Sequence, residues 1–125
     1  MPEYQPIKTK LGILRSRDAL HLSNLEFQPL EKILILTGVL DARHSSSHLE
    51  QDLQFHLRFF NVVALEVTDL DSFHGDLSSS FDVVLNSSWF ENAGGNVMAG
   101  HKHYQIIERH HILGVIADGF KLEIA

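Results

Sequence analysis

Residues 53–67 read LQFHLRFFNVVALEV. Leu53, Phe55, Leu57 and Phe59 alternate with Gln54, His56 and Arg58. A period of two sends one set to a buried face and the other to water, which is the pattern of a half-buried strand. Val63, Leu65 and Val67 continue the same parity beyond Asn61. The stretch predicts one long bent strand, or two strands joined near Phe60-Asn61. A helical reading competes over 48–58: Ser47-x-x-Glu50 has the form of a capping box, and Leu49, Leu53, Leu57 and Phe60 share one helical face. Strand is preferred from about Asp52, because Phe55 and Phe59 fit the alternation and would leave that face.

The neighbouring segments repeat the pattern. Residues 32–40 (KILILTGVL) are rich in β-branched residues and leucine, with Gly38 as a bulge position. Residues 81–85 (FDVVL) form a short strand candidate, and Ser88-Trp89-Phe90-Glu91 has capping-box form, so a short helix is expected near 88–94, ended by Gly94-Gly95. The last quarter reads as a meander over 102–108, 112–117 and 120–124. Arg109-His110-His111 and Asp118-Gly119 supply its turns, and Asp-Gly favours hairpins. No long amphipathic helix and no strand–helix alternation is present. The predicted fold is mainly β: an antiparallel sheet folded as a small sandwich or half-open barrel. Its α+β variant carries one or two short helices near 48–58 or 88–94.

The chain has 125 residues, which suits a single globular domain over 1–125. It has no cysteine, so disulfides, thiol catalysis and thiolate zinc sites are excluded. The N-terminus lacks the basic start and unbroken apolar run of a secretory signal. The longest uncharged apolar run, Ile33 to Leu36, is far short of a spanning helix. A cytoplasmic location without membrane contact is the expectation. Lys8, Lys10, Arg15 and Arg17 against Glu3 give residues 1–17 a charge of +3, read as a loosely ordered basic segment.

The net charge of -6 has a single origin. Seven bases cancel seven acids between Met1 and Val62, and no Lys or Arg occurs between Arg58 and Lys102. That gap holds Glu66, Asp69, Asp71, Asp76, Asp82 and Glu91. A one-signed surface attracts basic partners and repels polyanions, so nucleic-acid binding is not expected. The predicted partner-binding residues are Glu66, Asp69, Asp71, Asp76 and Glu91. Trp89 joins them as an interface anchor beside the glycine-rich stretch 92–101.

Nine histidines offer a different chemistry. His101-Lys102-His103 would put two imidazoles on one strand face, and a turn near Arg109-His110 would set Asp118 opposite His101. His101, His103 and Asp118 are thus a candidate ligand set for a divalent metal such as zinc. His-x-His on a strand resembles the metal motif of cupin barrels. The second cupin motif, with its Pro-x-Gly turn and third His, is absent, and the chain is not assigned to that family. Other motifs fail on spacing. Gly95 to Gly100 is followed by His-Lys where a phosphate loop needs Lys and then Ser or Thr. Asp69 to Asp76 has its glycine one place too late for a calcium loop. No Gly-x-Ser-x-Gly elbow exists.

Two function classes follow. The first is a non-enzymatic binding module, without cofactor, that presents the acidic stretch to a basic protein; an inhibitor or immunity-type protein covering a basic active site is one concrete form. The alternative is a small metal-dependent enzyme or metal-binding protein using the His-x-His pair. Pairing of exposed strand edges into a homodimer is a further expectation.

Overall fold

The computed structural model describes residues 3–72, 78–91 and 100–125. Eleven strands run in chain order: β1 Glu3–Pro6, β2 Lys8–Thr9, β3 Gly12–Ile13, β4 Leu20–Gln28, β5 Ile33–Asp41, β6 Asp52–Phe60, β7 Ala64–Asp69, β8 Phe81–Leu85, β9 Lys102–Ile107, β10 His111–Ala117 and β11 Gly119–Ile124. The one α-helical turn among them, α1, covers Ser88–Glu91. Short 3-10 turns occupy Ala42–His44 and Leu70–Ser72. The fold is mainly β, as the alternation predicts.

Two antiparallel sheets dominate. One has five strands in the order β1-β8-β9-β10-β7, the other four in the order β11-β6-β5-β4, and β2 and β3 form a small hairpin. None closes into a barrel. Between the two main sheets lies a core in which Leu34, Leu36, Leu57 and Phe59 meet Phe81, Tyr104, Leu113 and Val115. An aromatic cluster ties the layers together: the Phe59, Phe81, Tyr104 and Phe120 rings sit 4.9–6.3 Å apart. Aromatic pairs at this spacing favour edge-on contact, so the cluster fixes angles as well as area.

The stretch 53–67 resolves into two strands rather than one. Phe55, Leu57 and Phe59 are buried in β6, which starts at Asp52 as expected, and no helix forms over 48–58. After Phe60 the chain turns at Asn61, whose φ of 53° lies in the left-handed region that asparagine tolerates. It then enters the other sheet as β7. The second crossing runs beside the first, where the Asp118 amide donates to the Phe60 carbonyl at 2.9 Å.

That crossing corrects the predicted meander. β9 and β10 form the expected hairpin, but β11 pairs with β6. Asp118-Gly119 is therefore a corner between sheets and not a hairpin turn. The apolar faces explain the switch: Phe120, Leu122 and Ile124 pack on the same core from the opposite side. Gly38 is also explained differently. The bulge lies opposite it on β4, between Leu22 and Asn24, and a Cβ at Gly38 would stand 2.1 Å from the His21 carbonyl oxygen. The residue is glycine because two backbones approach there.

The N-terminal segment, expected to be loosely ordered, contributes β1 to β3 from residue 3 onward, and Leu11 and Leu14 are buried. Its hydrogen bonds reach far along the chain, with Arg15 N donating to His44 O at 2.8 Å and Ile7 N to Phe81 O at 3.0 Å. Buried leucines and ladder bonds outweigh the like charges of that segment.

Candidate functional site

The acidic residues lie on an edge. β7 is the last strand of the five-stranded sheet and, among the described residues, pairs only with β10. Glu66 and Asp69 are exposed on β7, and Asp71 is exposed in the 3-10 turn that follows. Val67 between them is 51% exposed. Glu66 Oε1 accepts from the Thr68 hydroxyl at 3.4 Å, and Asp69 Oδ1 accepts the Asp71 amide at 3.1 Å. Among the described residues, none of Glu66, Asp69, Asp71 or Glu91 forms an ion pair with a basic side chain. Their charge is open to solvent. Asp76 and most of the glycine-rich stretch 92–101 fall outside the described residues.

Register then links Glu66 to Trp89. Glu66 stands opposite Gly114, so its side chain leaves the sheet on the face that a Gly114 side chain would use. Trp89 occupies that space, since a Cβ on Gly114 would meet its Cζ3 at 3.1 Å and His103 Nε2 at 3.4 Å. The Trp89 and His103 rings meet edge-on with centroids 4.8 Å apart. Trp89 is thus half-buried on the outer face of the sheet, over Gly114 and one strand in from Glu66. On its other side a cleft of about 300 Å³ opens between β8, β9 and α1, lined by Asn86, Ser87, Glu91, His101 and Lys102 among others. Glu66, Trp89 and Glu91 therefore belong to one outer layer, while Asp69, opposite His111, leaves β7 on the other face. Asp82, the other described acid of the lysine-free stretch, is buried and adds nothing to the surface.

The histidines are held in other ways. The register Ala117 opposite Lys102 sets Asp118 across from His101, as the turn length predicts. His101 nevertheless precedes β9, is only 6% exposed, and directs Nε2 to the Asn61 carbonyl at 3.1 Å. A carbonyl accepts, so that nitrogen carries the proton and cannot ligate. His103 shares a 2.7 Å hydrogen bond between Nδ1 and the Ser87 hydroxyl. Burial lowers its pKa to about 4, leaving it neutral near pH 7. Asp118 lies close to Gly100, whose Cβ position is 3.2 Å from Oδ1. Among the described residues no group of three or more His, Asp or Glu side chains is arranged to hold a metal ion. His101, His103 and Asp118 are neighbours but not a ligand set.

A carboxylate that sequence reading passed over bridges three separate residues. Glu108, at the end of the strand read as 102–108, is 2% exposed. Its Oε1 accepts from the His110 amide and from His111 Nδ1, both at 2.8 Å, and its Oε2 accepts the Leu22 amide at 3.1 Å. Burial pushes its pKa up, but the bonds from Leu22, His110 and His111 outweigh this and hold it below the ordinary carboxylate value. These bonds join the β9–β10 turn to the outer edge of β4, where the Arg109 amide also donates to Leu20 O at 3.1 Å. The one signal in the sequence was a glutamate placed directly before the Arg-His-His turn.

No helix among the described residues is long and apolar enough to cross a membrane. Comparison with protein-family models, curated proteins and solved structures found no match to the chain.

Proposed function

We propose that the chain is a binding module that presents the acidic edge of its five-stranded sheet to a basic protein partner. The observation that carries this reading is the state of Glu66, Asp69 and Asp71. They are exposed on an edge strand and its following turn, with no basic side chain paired to them among the described residues. Like charges held together without counter-ions create a field that favours a cationic surface and speeds its approach. Trp89 supplies an aromatic platform on the face that Glu66 shares, and residues of that type carry much of the energy in protein interfaces. An inhibitor that covers the basic active site of another protein is one form this module would take.

The test is affinity capture with the wild-type chain and with the Glu66→Gln, Asp69→Asn, Asp71→Asn variant, at about 0.1 M and about 1 M salt. A basic protein retained by the wild type at low salt, and lost both with the variant and at high salt, supports the reading. Partners held equally by both proteins at both salt concentrations contradict it.

A further inference from the structure

We infer that the basic partner binds as an added strand, with an extended segment pairing along the free edge of β7. The inference rests on the acidic-edge reading above and adds the mode of recognition. It comes from comparing the four edges that two open sheets must have. Exposed edges template unwanted pairing, and folded proteins block them with prolines, bulges, lysines or covering segments. β1 is four residues long and ends in Pro6. β4 is bulged at Leu22/Asn24, and its outward Leu22 amide and Leu20 carbonyl are taken by Glu108 and Arg109. β11 carries Lys121, its Ile124 carbonyl accepts from the Lys10 ammonium, and residues 8–10 lie alongside it. β7 has no proline, bulge or lysine. Its charges are all negative.

The ladder identifies which groups of β7 are not taken by β10. Glu108 N donates to His111 O, and Leu70 N donates to His110 O. In an antiparallel sheet hydrogen-bonded pairs alternate along a strand. The amides of Ala64, Glu66 and Thr68 therefore point to β10, while those of Leu65, Val67 and Asp69 point outward. An extended segment could engage all three outward amides. The carboxylates choose its chemistry. A second copy pairing through β7 would bring Glu66 and Asp69 of the two chains together, and opposed like charges destabilise a strand pair. A segment with Lys or Arg at alternate positions instead presents its cations on one face, where they meet Glu66.

The probe is a peptide of alternating lysine and threonine, long enough to lie along the six residues of β7, together with the same peptide N-methylated on its backbone. Val67→Pro removes one outward donor and no ladder bond, at a position where edge strands accept proline. Val67→Ala keeps the donor and removes only the side chain. The expected result is that the wild type and Val67→Ala bind the unmodified peptide at low salt. Val67→Pro should bind about tenfold more weakly, and the methylated peptide should bind the wild type about tenfold more weakly. The methylated peptide reports on the wild-type chain, so the test survives if Val67→Pro fails to fold. Equal binding of both peptides, with binding lost in Glu66→Gln, Asp69→Asn, overturns strand addition and leaves the acidic docking reading standing. Binding unchanged by that charge variant overturns the acidic reading itself. A dimer of the chain that is dissolved by Val67→Pro would overturn the choice of a basic partner.

Discussion

Edge strands β4 and β7 face the same physical problem and meet it in opposite ways. β4 is closed at its first end by a buried carboxylate from the β9–β10 turn: Glu108 accepts the Leu22 amide, and the neighbouring Arg109 amide covers the Leu20 carbonyl. β7 ends its sheet with no strand paired beyond it among the described residues, and its charged residues are all acids. Sealing an edge takes a specific buried residue whose every bond must be made. Leaving one open takes charges that exclude the wrong partner. An edge that keeps three outward amides and only negative charge, in a fold that seals the start of another, is where a partner is to be sought.

Removing the seal is the most severe way to break this contrast. Glu108→Ala leaves the Leu22 and His110 amides without their acceptor, and is expected to destabilise the chain by about 3–5 kcal/mol in urea unfolding. The pH dependence has a definite sign. The folded pKa of Glu108 is depressed, so its contribution is complete above the ordinary carboxylate range and is lost as pH falls through the folded value. The stability gap between the wild type and Glu108→Gln should therefore narrow as the solution is acidified.

The second prediction concerns the sheet interior behind the open edge. His103 has a folded pKa of about 4 against 6.5 in the unfolded chain. Between these values the unfolded chain takes up a proton that the folded one does not, so stability falls as pH drops from about 6.5 to about 4. Solvent reaches part of the ring, which keeps the effect smaller than that of losing Glu108. Thermal melts of His103→Asn should lack this component. A wild-type slope retained in the variant would mean that another group is responsible.

The smallest stability effect belongs to the residues on which binding depends. Neutralising Glu66, Asp69 and Asp71 should move unfolding stability by no more than about 0.5 kcal/mol, since they are exposed and have no ion pairs to lose among the described residues. A large loss would turn the open edge into a structural one. Glu108 and Glu66 thus separate into a residue needed to fold and a residue spare for a partner.

β6 was legible because it keeps a strict period of two, and β5, β8 and the β9–β10 hairpin because they are apolar, largely β-branched runs bounded by turn residues; Phe81 to Leu85 matches β8 residue for residue. β4 was not legible. Its core-facing residues are Leu20, Leu22 and Leu25, and the bulge between Leu22 and Asn24 shifts the parity midway. β2 and β3, at two residues each, are too short to show any period. The Asp118-Gly119 corner has a hairpin's composition, and only the core on its far side makes it a crossing between sheets. The acidic stretch was visible as a count of charges. That Asp82 is buried, that Glu66 shares a face with Trp89, and that β7 is an edge are all products of register, which no local pattern encodes.

Backbone hydrogen exchange, followed residue by residue with and without the lysine–threonine peptide, tests the contrast between the two edges most directly. The account predicts fast exchange at Leu65, Val67 and Asp69 in the free chain, marked slowing at these three amides with peptide, and slow exchange at Leu22 throughout. Protection at Leu65, Val67 and Asp69 in the free chain that the peptide leaves unchanged would contradict it.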